Sequence, residues 1–262
     1  MLHTSASPRS LLLPLVLAGL AFVAAEPTAR ADRAGQAVRV GQQRGAGAFP
    51  FFEKERVLDE LALLRDEIDA GRGDVGDREH ALEKLDHALE ELEESLELEL
   101  WVLDANGFVE GRHLDPEEGA HVFNEERHCA QYVFDAIDDG EIDDPELVSE
   151  LMVLVETLVF IDRSLAQIQI DDAVAEGGDP EELDEAFDQF ERGDRLVDRA
   201  LDTDDLERRD DLLYEAMDNA YRHAWEAAID AIEDGREPLT SATHGLCGPG
   251  LCGGPRAGHR RL

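Results

Sequence analysis

The sequence predicts an all-α fold, a multi-helix bundle of about six helices in which the fourth helix is buried. Three observations support this prediction. Apolar residues recur at alternating steps of three and four along most of the chain, which is the spacing of one helix face. The tripeptide Asp-Pro-Glu occurs three times, each time at a position suited to a helix start. No segment shows the alternation of apolar and polar residues that is typical of a strand.

Leucine spacing and glycines define the first two helices. The first is predicted from about Glu53 to Ala70, and Gly71 and Gly73 end it. The second is predicted from Asp77 to about Val102. Its apolar stripe consists of Leu82, Leu85, Leu89, Leu92 and Leu96. A stripe of this width indicates a helix that packs one face against the rest of the protein.

The Asp-Pro-Glu tripeptides mark the next three helix starts. Asp at the N-cap accepts hydrogen bonds from free N–H groups, and Pro fits the first helical position. The predicted helices are Pro116 to Asp138, Pro145 to about Glu176, and Pro180 to Leu201. Gly119 lies in the first turn of the third helix, so that this start can shift by a few residues. The fourth helix is apolar nearly all round, which predicts burial, and a sixth helix is expected from Asp205 to Glu233.

The ends of the chain differ from the helical part. Residues 1–31 are predicted to be a signal peptide, with Arg9 before an apolar run and Ala29-Arg30-Ala31 before the cleavage point. The run is shorter than the roughly 18 residues of a spanning helix, although an uncleaved anchor and a cut after Ala25 remain alternatives. Residues 32–50 are predicted to be a flexible arm, 51–236 an acidic helical domain and 237–262 a disordered tail. The protein is therefore expected to be secreted or periplasmic.

The charge balance restricts the partners. The formal net charge is -38, and between residues 51 and 236 there are 59 Asp or Glu against 16 Lys or Arg. Such a surface repels nucleic acid and anionic membranes and attracts cations or a basic protein. We therefore expect neither nucleic-acid binding nor membrane binding after removal of the signal peptide.

Several short motifs, in the same order, resemble an uncharacterised family of secreted bacterial all-α-helical proteins. The motifs are Leu85-Asp86-His87-Ala88-Leu89 leading to Leu100-Trp101, His113-Leu114-Asp115-Pro116 leading to Val122-Phe123, Asp162-Arg163-Ser164-Leu165-Ala166, Gly177-Gly178-Asp179-Pro180, and Tyr221 to Trp225. The resemblance covers roughly residues 57–232. It implies export and a helical fold, but no activity, because the family has no established one. The lysine-rich members of that family are far less acidic than this chain.

The segment from Asp135 to Glu146 resembles a calcium-binding EF-hand loop. The candidate calcium ligands are Asp135, Asp139, Glu141 and Glu146. Gly140 takes the position of the sharp turn in such a loop. Ile137, however, occupies a ligand position, and Pro145 stiffens the loop before its last ligand. The alternative interpretation is a helix that ends at Gly140 and a new helix that starts at Asp144.

Other candidate sites are incomplete. Glu125 and His128 form one Glu-x-x-His unit, whereas a di-iron bundle needs two such units and two further carboxylates. Asp162-Arg163 interrupts the apolar fourth helix and predicts a partly buried ion pair. Cys247 and Cys252 can close a small loop in an oxidising compartment and leave Cys129 unpaired, although a disordered tail is the simpler interpretation.

The sequence therefore favours a non-enzymatic, exported structural or interaction protein of unknown partner. The chain contains no Gly-rich phosphate loop after a strand, no Gly-x-Ser-x-Gly and no His-Glu-x-x-His. The alternative function is calcium or cation binding at the Asp135 to Glu146 segment, and a metalloenzyme ranks third. No cofactor other than calcium is predicted.

Overall fold

A computed structural model of the chain describes residues 49–235, which form a mostly helical protein. The helices are α1 (Pro50–Asp69), α2 (Arg78–Glu94), α3 (Ala120–Asp138), α4 (Pro145–Glu176), α5 (Pro180–Leu201), α6 (Leu206–Ala216) and α7 (Arg222–Gly235). A π-helical segment, Met217–Tyr221, joins α6 to α7 without a break. The predicted signal peptide, most of the arm and the tail with Cys247 and Cys252 lie outside the described residues.

A β-hairpin contradicts the prediction that the chain contains no strand. The second helix ends at Glu94 instead of about Val102, and β1 (Trp101–Leu103) then pairs with β2 (Val109–Leu114) in antiparallel fashion. Asn106-Gly107 lies in the turn, where Gly107 has a φ of 82°. Asn-Gly is among the strongest sequence indications of a hairpin. The leucine stripe concealed it, because Leu96 and Leu100 continue the spacing of α2 beyond the end of that helix.

Two of the three Asp-Pro-Glu helix starts are confirmed. Asp144 and Asp179 are the N-caps of α4 and α5, and each side chain accepts hydrogen bonds from two backbone N–H groups. The carboxylate of Asp115 also accepts two such bonds, at 2.9 and 3.1 Å. These bonds form an isolated turn, however, and α3 begins only at Ala120. Its start is therefore shifted by a few residues, as the glycine at position 119 allows.

The first helix begins earlier than predicted and takes in the end of the predicted arm. Pro50 is its first residue, which suits proline because that position needs no N–H donor. Phe51 follows and is buried, with its ring 5.1 Å from the ring of Trp101 in an edge-on arrangement. The start of α1 therefore packs against the hairpin.

The core lies between the helices and includes many residues of α4. Its buried apolar residues are Leu147, Leu151, Met152, Leu154, Val155, Leu158, Val159, Ile161, Leu165, Ala166, Ile170 and Ala173. Gly193 on α5 lets the π-helical segment approach closely, because a Cβ at this position would lie 2.5 Å from the ring of Tyr221. No helix within residues 49–235 is both long and apolar enough to cross a membrane.

Candidate metal centre

Glu91, Glu125 and His128 come together where α2 packs against α3. Glu125 and His128 are three residues apart and therefore lie on the same side of α3. Glu91 faces them from α2. One ligand atom from each residue lies within 4.8 Å of the other two, and all three residues are partly buried. The single Glu-x-x-His unit of the sequence therefore gains a third potential metal ligand from the neighbouring helix.

The distances within this group suit a small metal ion. The Nδ1 atom of His128 lies 3.3 Å from a carboxylate oxygen of Glu91 and 3.8 Å from one of Glu125. Two ligands at about 2.1 Å from an ion, in tetrahedral geometry, lie about 3.4 Å apart. Small side-chain rotations would therefore bring all three atoms to bonding distance of one ion.

The ionisation of the group reflects its partial burial. Burial, followed by the hydrogen bond and the charge of Glu125, raises the pKa of Glu91 to about 7. Burial, and next the charge of Arg127, lowers the pKa of His128. A neutral imidazole is the form that binds metals. The two carboxylates repel each other unless they share a proton or hold a cation between them.

Arg127 lies on the other side of the imidazole ring. Its guanidinium contacts the Nε2 atom of His128, donates a hydrogen bond of 3.1 Å to the side-chain oxygen of Asn124, and lies 4.6 Å from the centre of the Tyr214 ring. A metal at Nδ1 requires the proton of the ring to be on Nε2, which faces the donors of Arg127. Arg127 therefore opposes metal binding both by its charge and by its donors.

A second group of ionisable residues lies in the core beside this centre. Lys54 of α1 pairs with Glu126 of α3, and Asp162 of α4 is close enough to interact with the lysine charge; all three are fully buried. The ammonium of Lys54 also lies 5.0 Å from the centre of the Trp101 ring. Neither carboxylate oxygen of Asp162 has a hydrogen-bond partner among residues 49–235. Burial raises the pKa of Asp162 well above its usual value and lowers that of Lys54 to about 7.

The partly buried ion pair predicted for the Asp162-Arg163 dipeptide is formed by Arg163. Asp162 faces Lys54, whereas Arg163 donates to both carboxylate oxygens of Asp194 at 2.7 and 2.9 Å. The hydroxyl of Tyr221 donates to the same carboxylate at 2.9 Å. Adjacent residues of a helix point in directions about 100° apart, and so each finds its partner on a different helix.

Cys129 is buried, has no disulfide partner among residues 49–235, and interacts with charges of both groups. Burial, and next the charge of Glu91, raises its pKa to about 12, although Lys54 acts in the opposite direction. The thiol therefore stays protonated at neutral pH and is a weak nucleophile.

The structure does not wrap the predicted calcium ligands around a common centre. Asp135 lies within α3 and Asp139 at its C-terminal end, and their carboxylates lie 3.0 and 3.4 Å from the ammonium of Lys84. Glu141 has a φ of 49° and its carbonyl accepts a hydrogen bond from Gly76. Glu146 is exposed in the first turn of α4. The segment thus has the alternative form, a helix end followed by a new helix start, while calcium binding itself stays a prediction.

Glu91 and Lys54 were not among the site residues predicted from the sequence. Glu91 is one of four glutamates between residues 90 and 94, and nothing in the sequence distinguishes it from its neighbours. Lys54 did carry an indication, because it is one of only two lysines in the chain. Both lysines bind carboxylates of α3, Lys54 in the core and Lys84 near the surface.

Comparison of the chain with protein-family models, curated proteins and solved structures found no match. The resemblance to secreted helical proteins therefore stays a prediction.

Proposed function

We propose that this chain is an exported, non-enzymatic helical protein that binds a first-row transition-metal dication through Glu91, Glu125 and His128. The observation that carries the proposal is the convergence of three ligand atoms within 4.8 Å across two packed helices. The cation-binding alternative of the sequence analysis is thereby kept, but it is moved from the Asp135 to Glu146 segment to the interface of α2 and α3.

The donor set supports a transition metal over calcium. Calcium takes six to eight oxygen ligands in proteins, whereas imidazole with carboxylates suits zinc and the neighbouring metals. Three protein ligands leave further coordination positions to water. Exposed fractions of 22%, 17% and 34% for the side chains of Glu91, Glu125 and His128 leave the group open to an ion from solvent.

The acidity of the protein supports the same proposal. A dication placed between Glu91 and Glu125 relieves the repulsion between these carboxylates, and it meets the negative potential of the whole domain. We propose metal binding and not catalysis, because the sequence contains no complete catalytic motif.

Export and a central role of α4 in the helix bundle are further parts of the proposal. Export rests on the signal-peptide pattern of residues 1–31, and the role of α4 rests on its long run of buried apolar residues. N-terminal sequencing of protein recovered outside the cytoplasm is expected to return Asp32 as the first residue, or Glu26 if the earlier cut is used. Recovery of a chain that starts at Met1 would contradict export with cleavage.

Isothermal titration with Zn²⁺ at pH 7.5 tests the metal site. We expect one ion per chain in the wild type and at least a tenfold weaker affinity in Glu125→Gln and His128→Gln, since each removes a ligand. His80→Gln and Glu93→Gln are matched controls on exposed positions of α2, and we expect their affinities to equal that of the wild type.

Two results would contradict the proposal. One is the absence of stoichiometric binding by the wild type. The other is an equal loss of affinity in the ligand and control variants, because diffuse attraction to the acidic surface responds to net charge and not to the place of the substitution. Circular dichroism of each variant checks that the helices remain folded.

A further inference from the structure

A surface groove with a partly apolar lining surrounds Leu206, at the end of the molecule where α3 ends and α4 and α6 begin. Three cavities of about 440, 290 and 420 Å³ meet at this residue. The first is lined mainly by α4, the second by α3 and α6, and the third by the turn between α3 and α4. Because they share Leu206, we treat them as one surface groove, and none of their lining residues belongs to the group of Glu91, Glu125 and His128.

Part of the groove lining is apolar, and Phe134, Ile137, Ile142 and Met152 lie almost fully buried beneath it. The apolar lining residues are Phe134, Ile137, Ile142, Pro145, Val148, Met152, Val153 and Leu206. Leu206 and Val153 are 36% and 38% exposed, although both are aliphatic side chains that gain free energy on burial. The groove therefore offers aliphatic surface to a partner.

The rim of the groove is strongly acidic. Its acidic lining residues are Asp135, Asp138, Glu141, Asp143, Glu156, Glu207 and Asp210. Arg209 is the one basic side chain among the described lining residues, and it lies 4.0 Å from Glu156. Lys84 reaches Asp135 from α2. The rim thus carries a clear excess of negative charge after these two pairs are formed.

Crowding of carboxylates is most evident at Asp210. Burial, and next the charges of Asp135 and Asp211, raises the pKa of this residue to about 6, although the charge of Arg127 acts in the opposite direction. A cationic group from a partner would relieve this repulsion and would meet the negative potential of the surrounding rim. Because part of the lining is aliphatic, an inorganic cation would leave that apolar surface without a partner.

We infer that the groove binds a basic peptide segment of a partner protein, with arginine or lysine side chains on the acidic rim and a leucine-like side chain on the apolar lining beside Leu206. Charge complementarity and the apolar lining together determine this choice of occupant. The acids that sequence analysis assigned to calcium, Asp135 and Glu141, thereby belong to a peptide-binding rim.

Fluorescence anisotropy with a labelled synthetic peptide of arginine, glycine and leucine tests this inference on the full chain. The groove variant is the triple substitution Asp138→Asn, Asp143→Asn and Glu207→Gln, all at exposed positions. The matched control is Asp184→Asn, Glu185→Gln and Asp188→Asn on the exposed side of α5. Both variants lose the same net charge.

At about 0.15 M salt, where exposed charges more than about 8 Å apart are largely screened, we expect the groove variant to bind the peptide at least tenfold more weakly than the wild type, and the control variant less than twofold more weakly. A peptide with serine in place of leucine is expected to bind at least fivefold more weakly to the wild type. His128→Gln is expected to bind the peptide with the affinity of the wild type. A loss of metal binding can then be distinguished from a loss of peptide binding.

Three results would overturn the inference. Equal losses in the groove and control variants would indicate diffuse electrostatic attraction. Equal affinities for the leucine and serine peptides would show that the apolar lining does not contribute to binding. A concentration-dependent dimer in analytical ultracentrifugation that is lost in Leu206→Ser would identify a second copy of the chain as the occupant.

Discussion

At the scale of single residues, the core of this protein depends on a lysine surrounded by acids. Lys54 is fully buried and pairs with Glu126, whereas Asp162 is buried without a hydrogen-bond partner among the described residues. Burial raises the pKa of Asp162 well above its usual value. Two buried carboxylates therefore lie near one buried ammonium, and burial favours the neutral form of Asp162.

This description predicts different costs for two substitutions. Lys54→Met leaves Glu126 charged and unpaired in the core, so the free energy of unfolding is expected to fall by about 3–5 kcal/mol. Asp162→Asn replaces one neutral group by another of similar shape and is expected to change it by at most about 1 kcal/mol. Urea denaturation at pH 6 measures both. A larger cost for Asp162→Asn than for Lys54→Met would show that the carboxylate of Asp162 is the charged partner.

Arg127 is the residue that should weaken the proposed metal site. Its guanidinium contacts the imidazole of His128 and its charge lowers the pKa of that ring. Arg127→Leu removes a positive charge and a donor that face the ring, and we expect Zn²⁺ to bind severalfold more tightly. Titration calorimetry measures the affinity, with Arg195→Leu on α5 as a control for loss of one exposed arginine. Unchanged or weaker binding by Arg127→Leu would mean that Arg127 does not oppose the ion.

At the scale of elements, helices with clear N-caps were predicted correctly from the sequence. The prediction was wrong where the leucine spacing of α2 continued into the segment that forms the hairpin. The starts of α4 and α5 agree with the prediction because Asp144 and Asp179 are the N-caps of these helices. The hairpin was missed because Leu96 and Leu100 extend the spacing of α2. Glu91 was missed because the pairing of α2 with α3 depends on tertiary packing, which periodicity does not encode.

Gly193 provides a test of helix packing at this scale. The Tyr221 ring occupies the space that a Cβ of residue 193 would take, and Tyr221 is itself fully buried. Gly193→Ala gains helix propensity of about 1 kcal/mol, but overpacking typically costs about 1–3 kcal/mol. We therefore expect a net loss of stability in thermal melts. A gain in melting temperature would mean that the π-helical segment moves aside without cost.

At the scale of the whole molecule, partly buried carboxylates with raised pKa values make the free energy of unfolding depend on pH. The pKa values of Glu91 and Asp210 are raised to about 7 and about 6, in both cases first by burial. Between about pH 5 and 7 the folded chain therefore holds protons that the unfolded chain has already released. Stability from these groups is fully present below their unfolded pKa values and is lost as the pH rises through 6 and 7.

We expect the metal-free protein to lose about 2 kcal/mol of unfolding free energy between pH 5 and pH 7, after allowance for solvent screening. Lys54 has the opposite sign, since burial lowers its pKa to about 7. Its contribution rises above pH 7. Within the lower window the lowered pKa of His128 also opposes the acids, and it reduces the loss that Glu91 and Asp210 alone would give. Urea denaturation at constant ionic strength measures the change, and Glu91→Gln should reduce it. A stability that is constant or increases over this window would contradict the raised pKa values.

Anomalous X-ray diffraction at the zinc edge, from crystals grown with Zn²⁺, would show whether Glu91, Glu125 and His128 hold one transition-metal ion. We predict a strong peak about 2.1 Å from the Nδ1 atom of His128 and from one carboxylate oxygen of each glutamate. The absence of a peak at this position, or a peak only at the segment from Asp135 to Glu146, would contradict the account.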